Sequence, residues 1–170
     1  MKIVILVHPG SVFVSAADQV SASLLDPAID AMEDLIDISD GLIVIHGFLS
    51  EHMSRGDRSW VDDLMKAKSA AGQIAWNLWG CDDGSVPSDK FWPEKDIFEH
   101  QTDAARALHE WLPENAEITV TGAWACVDEP GALGCVNSVA QVLRKAGRTD
   151  VRIHEGAVMD AWIGDDDPSP

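Results

Sequence analysis

Apolar residues along this chain follow two alternating patterns. Short, largely apolar, β-rich runs occur at Lys2–Val7, Leu42–His46, Ile74–Trp79, Ile118–Val120 and Val151–Ile153, and between them apolar residues return every three or four positions. A strand buried on both faces needs the first pattern and an amphipathic helix needs the second. One helix is expected to open at Asp26 and Pro27, an N-cap followed by proline at N1, with Ile29, Met32 and Ile36 on one face. A second opens at Asp57 and displays Trp60, Val61, Leu64 and Met65. A third runs from about Thr102 to Leu112 with Ala104, Ala105, Leu108 and Trp111 inward. The last starts at Cys135, repeats Val136, Val139 and Leu143, and meets Gly147 where a C-cap belongs. A further short strand is expected near Ala157. Alternation of this kind predicts an α/β fold, a three-layer α-β-α sandwich around a mainly parallel, Rossmann-like sheet of five or six strands.

Composition narrows the partners. With 46% hydrophobic residues in 170, the chain suits a single domain, assigned to residues 1–164, followed by an acidic flexible tail over 165–170. The 29 acidic residues outnumber the 12 Lys and Arg, and the resulting charge of −17 repels nucleic acid and anionic membranes. Such acidity also suits a salt-rich setting. The apolar start MKIVILVHPG is too brief for a signal peptide or membrane span, so a cytoplasmic location is expected. Cys81, Cys126 and Cys135 are odd in number and lack CxxC spacing, which argues against a disulfide framework or a structural zinc site. The segment CDDGSVPSDKFWPEKD between residues 80 and 97 has the length and composition of a binding or lid loop.

Candidate chemistry gathers where strands end, because a parallel sheet points every carboxyl end to one edge and ligands bind there. His8 closes the first strand, His46 the second, Cys81 and Cys126 follow the third and fourth, and Cys135 opens the last helix. At a helix start the dipole favours a thiolate and first-turn N–H groups hold an oxyanion, so Cys135 is the candidate nucleophile. His8 is its candidate general base. The run HGFLSEH carries His46, Glu51 and His52, a set able to bind a divalent metal such as zinc or iron; the metal candidates are His46 and His52. No GxGxxG or GKS/T is present, so no nucleotide cofactor is expected. Aromatic residues at predicted loops and strand ends suit a pocket for a flat ring. The substrate-contact candidates are Phe13, Trp79, Trp124 and Gly134.

These residues resemble the isochorismatase-like cysteine hydrolases, the family of nicotinamidases and carbamoyl-amide hydrolases. Thr121 and Gly122 match its TG after a strand, Cys135 and Val136 its CV, Ala140 its alanine, Gly147 its closing glycine, and Asp160 the end of its DAxxD segment. ILVHPGSVF resembles the family's first-strand segment, with Phe13 in register, and IFEHQTDAARALHEWL the helix before the cysteine strand. The resemblance implies a small-molecule amide or related carbonyl substrate, a thiolate nucleophile and homo-oligomeric assembly. Departures accompany it. His8 stands in place of the family's aspartate, no lysine stands near Trp79 or Gly80, and CVDEPGAL lengthens the loop before Cys135. Lys90 and Lys95 lie in the long loop. The metal motif is half kept, with His46 for its aspartate, Phe48 for its first histidine and His52 as its second. Two readings follow: a divergent cysteine hydrolase using Cys135 and His8, or a non-catalytic binding or interaction module with a degenerated site.

Overall fold

The computed structural model describes residues 1–9, 22–47, 55–80, 97–124 and 134–159. In chain order these form β1 (Lys2–Val7), α1 (Ala22–Asp37), β2 (Gly41–His46), α2 (Arg55–Ala70), β3 (Ile74–Gly80), β4 (Ile97–Phe98), α3 (Gln101–Trp111), β5 (Glu117–Ala123), α4 (Cys135–Lys145) and β6 (Val151–Met159). The sheet order is β4-β3-β2-β1-β5-β6 and every neighbouring pair is parallel. From β1 the chain winds outward through β2, β3 and β4, then returns to the other side of β1 to place β5 and β6. The winding therefore reverses between β1 and β5.

Strand alternation builds both cores. On one face Ile3, Ile5, Val7, Ile43, Ile45, Ile118 and Val120 pack under Ala104, Ala105 and Leu108 of α3 and Val136, Val139, Ala140 and Leu143 of α4. On the other, Val4, Leu6, Leu42 and Val44 pack under Ala28, Met32 and Ile36 of α1 and Val61 and Met65 of α2. The expected three-layer α/β sandwich is thus observed. Among the described residues no helix is long and apolar enough to cross a membrane.

Three details differ from the sequence-based expectation. Helix α1 starts at Ala22, so Pro27 lies inside it; the N–H that proline lacks would have paired with the carbonyl four residues back, a loss of one bond at an exposed position. Trp111 is 43% exposed, and Leu112, at 3%, takes the inward place. Trp111 instead leans on Trp76 and Phe98 at the sheet margin, with ring centroids 6.2 Å away in each case. The residues near Ala157 continue β6, and the extra strand is the two-residue β4 at the opposite edge. Between the Val120–Ile153 and Gly122–Val158 pairs, β5 advances by two residues and β6 by five. The surplus His154, Glu155 and Gly156 bulge into solvent and reverse the facing of β6, so Val151 looks toward α4 and Ala157 and Met159 toward α1.

Glycine is required at two places for different reasons. Helix α4 ends with Gly147 at φ +104, its N–H donating to Arg144 O and the Arg148 N–H to Leu143 O, a Schellman closure. At Gly122, φ is +107 and a Cβ would overlap the Val7 carbonyl oxygen and stand 2.8 Å from the Val7 nitrogen. Open space surrounds Gly147. Gly147→Ala is therefore expected to cost about 1–2 kcal/mol from backbone conformation alone. Gly122→Ala adds a clash with β1 and is expected to cost roughly 2–4 kcal/mol. Urea unfolding of the two variants side by side checks the difference; equal losses would mean that β1 and β5 separate without cost.

Candidate functional site

The end of β1 is the centre of the carboxyl edge. His8 follows Val7 with φ +48, a left-handed conformation uncommon outside glycine, and its N–H donates to Ile45 O at 2.7 Å. That turn sends the imidazole, 5% exposed, across the end of β2, where it lies against Gly47. A Cβ on Gly47 would stand 2.6 Å from His8 Nε2, so the glycine makes room for the ring. His8 Nε2–H donates to Gly80 O at 3.0 Å, at the end of β3. A carbonyl only accepts, so the neutral tautomer carries its proton on Nε2 and its lone pair on Nδ1.

His46 and Trp79 pair across β2 and β3, and their rings stack at 6.2 Å and 15°. Trp79 is 1% exposed and backs the half-buried His46 ring. His46 Nε2–H donates to Asn77 Oδ1 at 2.8 Å. Burial pushes the His46 pKa down to about 4; the Asn77 bond opposes this, the nearby His8 adds to it, and Asp62 opposes it weakly. Near neutral pH His46 is an uncharged imidazole of fixed tautomer, the form in which histidine ligates metals or accepts hydrogen bonds. His52, the other metal candidate, and Phe13 lie outside the described residues, as do Cys81, Cys126 and Asp160. Among the described residues no group of three or more His, Cys, Asp or Glu is arranged to hold a metal ion.

Across β1 the site continues on β5 and α4. Gly122 pairs with Val7, and the next peptide, Ala123–Trp124, is cis. The half-buried Trp124 uses its carbonyl to accept the Val136 N–H at 3.0 Å, which ties the first turn of α4 to the end of β5. Cys135 is the first residue of α4, partly exposed, free of disulfide, and packed in part against the core under α3 and α4. Buried Gly134 is the N-cap with extended backbone, and no side chain caps the helix. The Ser138 N–H makes the first intrahelical bond, to Gly134 O.

The structure thus brings His8, His46, Trp79, Trp124, Gly134 and Cys135 to one edge, at the switch point where ligands bind in open parallel sheets. Within that edge they divide. The His8 and His46 rings lie toward β3, whereas Cys135, Gly134 and Trp124 stand on the β5 side of β1. Asn77 and Gly80 are the residues that sequence reasoning missed. Asn77 sits two positions from Trp79 on the same strand face, and period-two alternation from Trp79 was the signal for it; Gly80 acts through its carbonyl and left no signal. The depression lined by Glu117, Thr149, Asp150, Val151 and Arg152 lies at the amino edge, away from every one of these groups.

Fold and edge together define a doubly wound α/β domain, a class whose ligand crevices form where the winding reverses, here between β1 and β5. Comparison of the chain with family models, with curated proteins and with solved structures found no match.

The lowered His46 pKa links stability to pH. An unfolded chain protonates His46 near 6.5 and the folded one only near 4, so stability is full above about pH 6.5 and falls as pH drops toward 4. The slope for this one proton is at most about 1.4 kcal/mol per pH unit. Urea unfolding at several pH values between 7.5 and 5 should show the decline in the natural chain and a flatter profile in His46→Gln; parallel profiles would remove His46 as the cause.

Proposed function

We propose that this protein is a divergent cysteine hydrolase, similar to the isochorismatase-like enzymes, acting on a small amide or related carbonyl compound. The observation that carries the reading is the seat of Cys135: partly exposed, first in a helix with no side-chain cap, beside the β1–β5 crevice. There the positive end of the α4 dipole favours a thiolate over a thiol. In this mechanism Cys135 Sγ attacks the substrate carbonyl carbon and the thiol proton passes to His8 Nδ1. The oxyanion is stabilised at the α4 start, the leaving amine departs with the proton from His8, and water then hydrolyses the thioester. The Gly80 carbonyl on Nε2 supports the role of His8, because it orients the base and leaves Nδ1 as the acceptor.

One observation favours the alternative, a non-catalytic binding module. The His8 ring is packed on Gly47 and leans toward β3, across β1 from the start of α4. A base held there would have to serve a thiol on the far side of its own strand.

Alkylation separates the two. With iodoacetamide at pH 6–7, Cys135 should label at least about tenfold faster than Cys81 and Cys126, with a pH midpoint roughly one unit or more below the ordinary 8.5. His8→Asn should move that midpoint upward. Slow labelling at an ordinary midpoint would sink the hydrolase reading, and a low midpoint indifferent to His8→Asn would leave the thiolate without this base.

A further inference from the structure

Charge is segregated in this fold in a way that bears on what the crevice accepts. Helices that run antiparallel to a parallel sheet collect their C-termini at its amino edge, where their dipoles favour cations. The described Lys and Arg side chains follow that rule. Lys68, near the end of α2, donates to Ser39 O; Arg144, near the end of α4, donates to Val151 O; Arg148 donates to His109 O and to the Leu112 and Pro113 carbonyls that end α3. Lys2 and Arg152 stand at strand starts, Lys145 in the last turn of α4, Lys66 ahead of the last turn of α2 where it pairs with Asp63, and Arg106, midway along α3, is paired with Asp103.

Among the described side chains, the carboxyl edge holds no Lys or Arg. By sequence, residues 10–21, 48–54 and 125–133, which leave β1, β2 and β5, contain none, and 81–96 sets Lys90 and Lys95 against Asp82, Asp83, Asp89, Glu94 and Asp96. Arg55 and Arg58 open α2, a helix that packs on β2 and β3 rather than beside the β1–β5 crevice. An anion nearing Cys135 meets the field of a molecule of charge −17, against which the start of α4 sets about half a charge.

We propose that the crevice beside Cys135 takes uncharged or cationic carbonyl substrates and discriminates against those bearing a carboxylate or other anionic group. This rests on the hydrolase reading and adds its substrate class. Small amides without an acid group, and amides carrying an ammonium, are the favoured chemistry.

Methanethiosulfonate reagents test the charge preference without a known substrate. The Cys135 thiolate attacks the sulfenyl sulfur, a mixed disulfide forms and methanesulfinate leaves, so one reaction reports on neutral methyl, trimethylammonium-ethyl and sulfonato-ethyl versions. Rates are read by mass on the Cys135 peptide of the full chain and divided by those for 2-mercaptoethanol under the same conditions. At about 20 mM salt the cationic reagent should exceed the anionic one by roughly tenfold or more. In about 1 M NaCl the ratio should fall to within roughly threefold, since screening then acts over about 3 Å. A sulfonate reagent as fast as the cationic one, with the neutral reagent still fast, would overturn the substrate class alone. Failure of all three to label Cys135 would overturn it together with the hydrolase reading.

Discussion

The close approach of β5 to β1 at Gly122 is the constraint on which the carboxyl edge depends. A side chain there would overlap the Val7 carbonyl, so the two backbones meet only because the position is glycine and φ is positive. The contact joins the two halves of the winding. It sets Val7 opposite Gly122, so that His8, one residue on, emerges beside the start of the chain that leads to Cys135. Thr121, fully buried, donates to the Ala157 carbonyl and holds β6 to the same end of β5. These two contacts fix the end of β5 between β1 and β6.

Two kinds of polar organisation follow from the parallel sheet. At the carboxyl edge, Gly80 O accepts from His8 and Asn77 Oδ1 from His46, bonds that fix ring orientation and tautomer without adding charge. At the amino edge, cations close helix ends; Lys68 and Arg148 are both about nineteen parts in twenty buried, and each donates to backbone carbonyls in or just past the last turn of a helix. The same topology that gathers helix N–H groups on one side gathers helix carbonyls, with the ammonium and guanidinium groups that meet them, on the other. Most of the described Lys and Arg side chains thus lie at the amino edge, and among the described side chains the edge that carries the candidate chemistry holds none.

Much of the architecture was legible in the residues. KIVILV and GLIVIH are too short and too apolar for anything but strands covered on both faces, and Val136, Val139, Ala140 and Leu143 return at the period of a helix that has one buried side. Gly147 marked a helix end because only a residue without a Cβ enters the left-handed region cheaply. Errors fell where local pattern and tertiary context part. Trp111 has the right spacing for the core but stands at the sheet margin, and Ile97–Phe98 pairs for only two residues, too few to leave a period.

For the candidate site, the sequence by itself determined which residue types end the strands and open the last helix: His8, His46 and Cys135 stand at those positions whatever the neighbours do. Only the tertiary structure decided where their side chains go. The left-handed turn at His8, the vacancy over Gly47 and the Gly80 carbonyl draw its ring toward β3, and Asn77 and Trp79 bury His46 as a neutral ring. These outcomes depend on strand order and register, which are set by contacts between segments as distant in the chain as Val7 and Gly122. A local pattern records which face a residue takes; it does not record which strand will lie beside it.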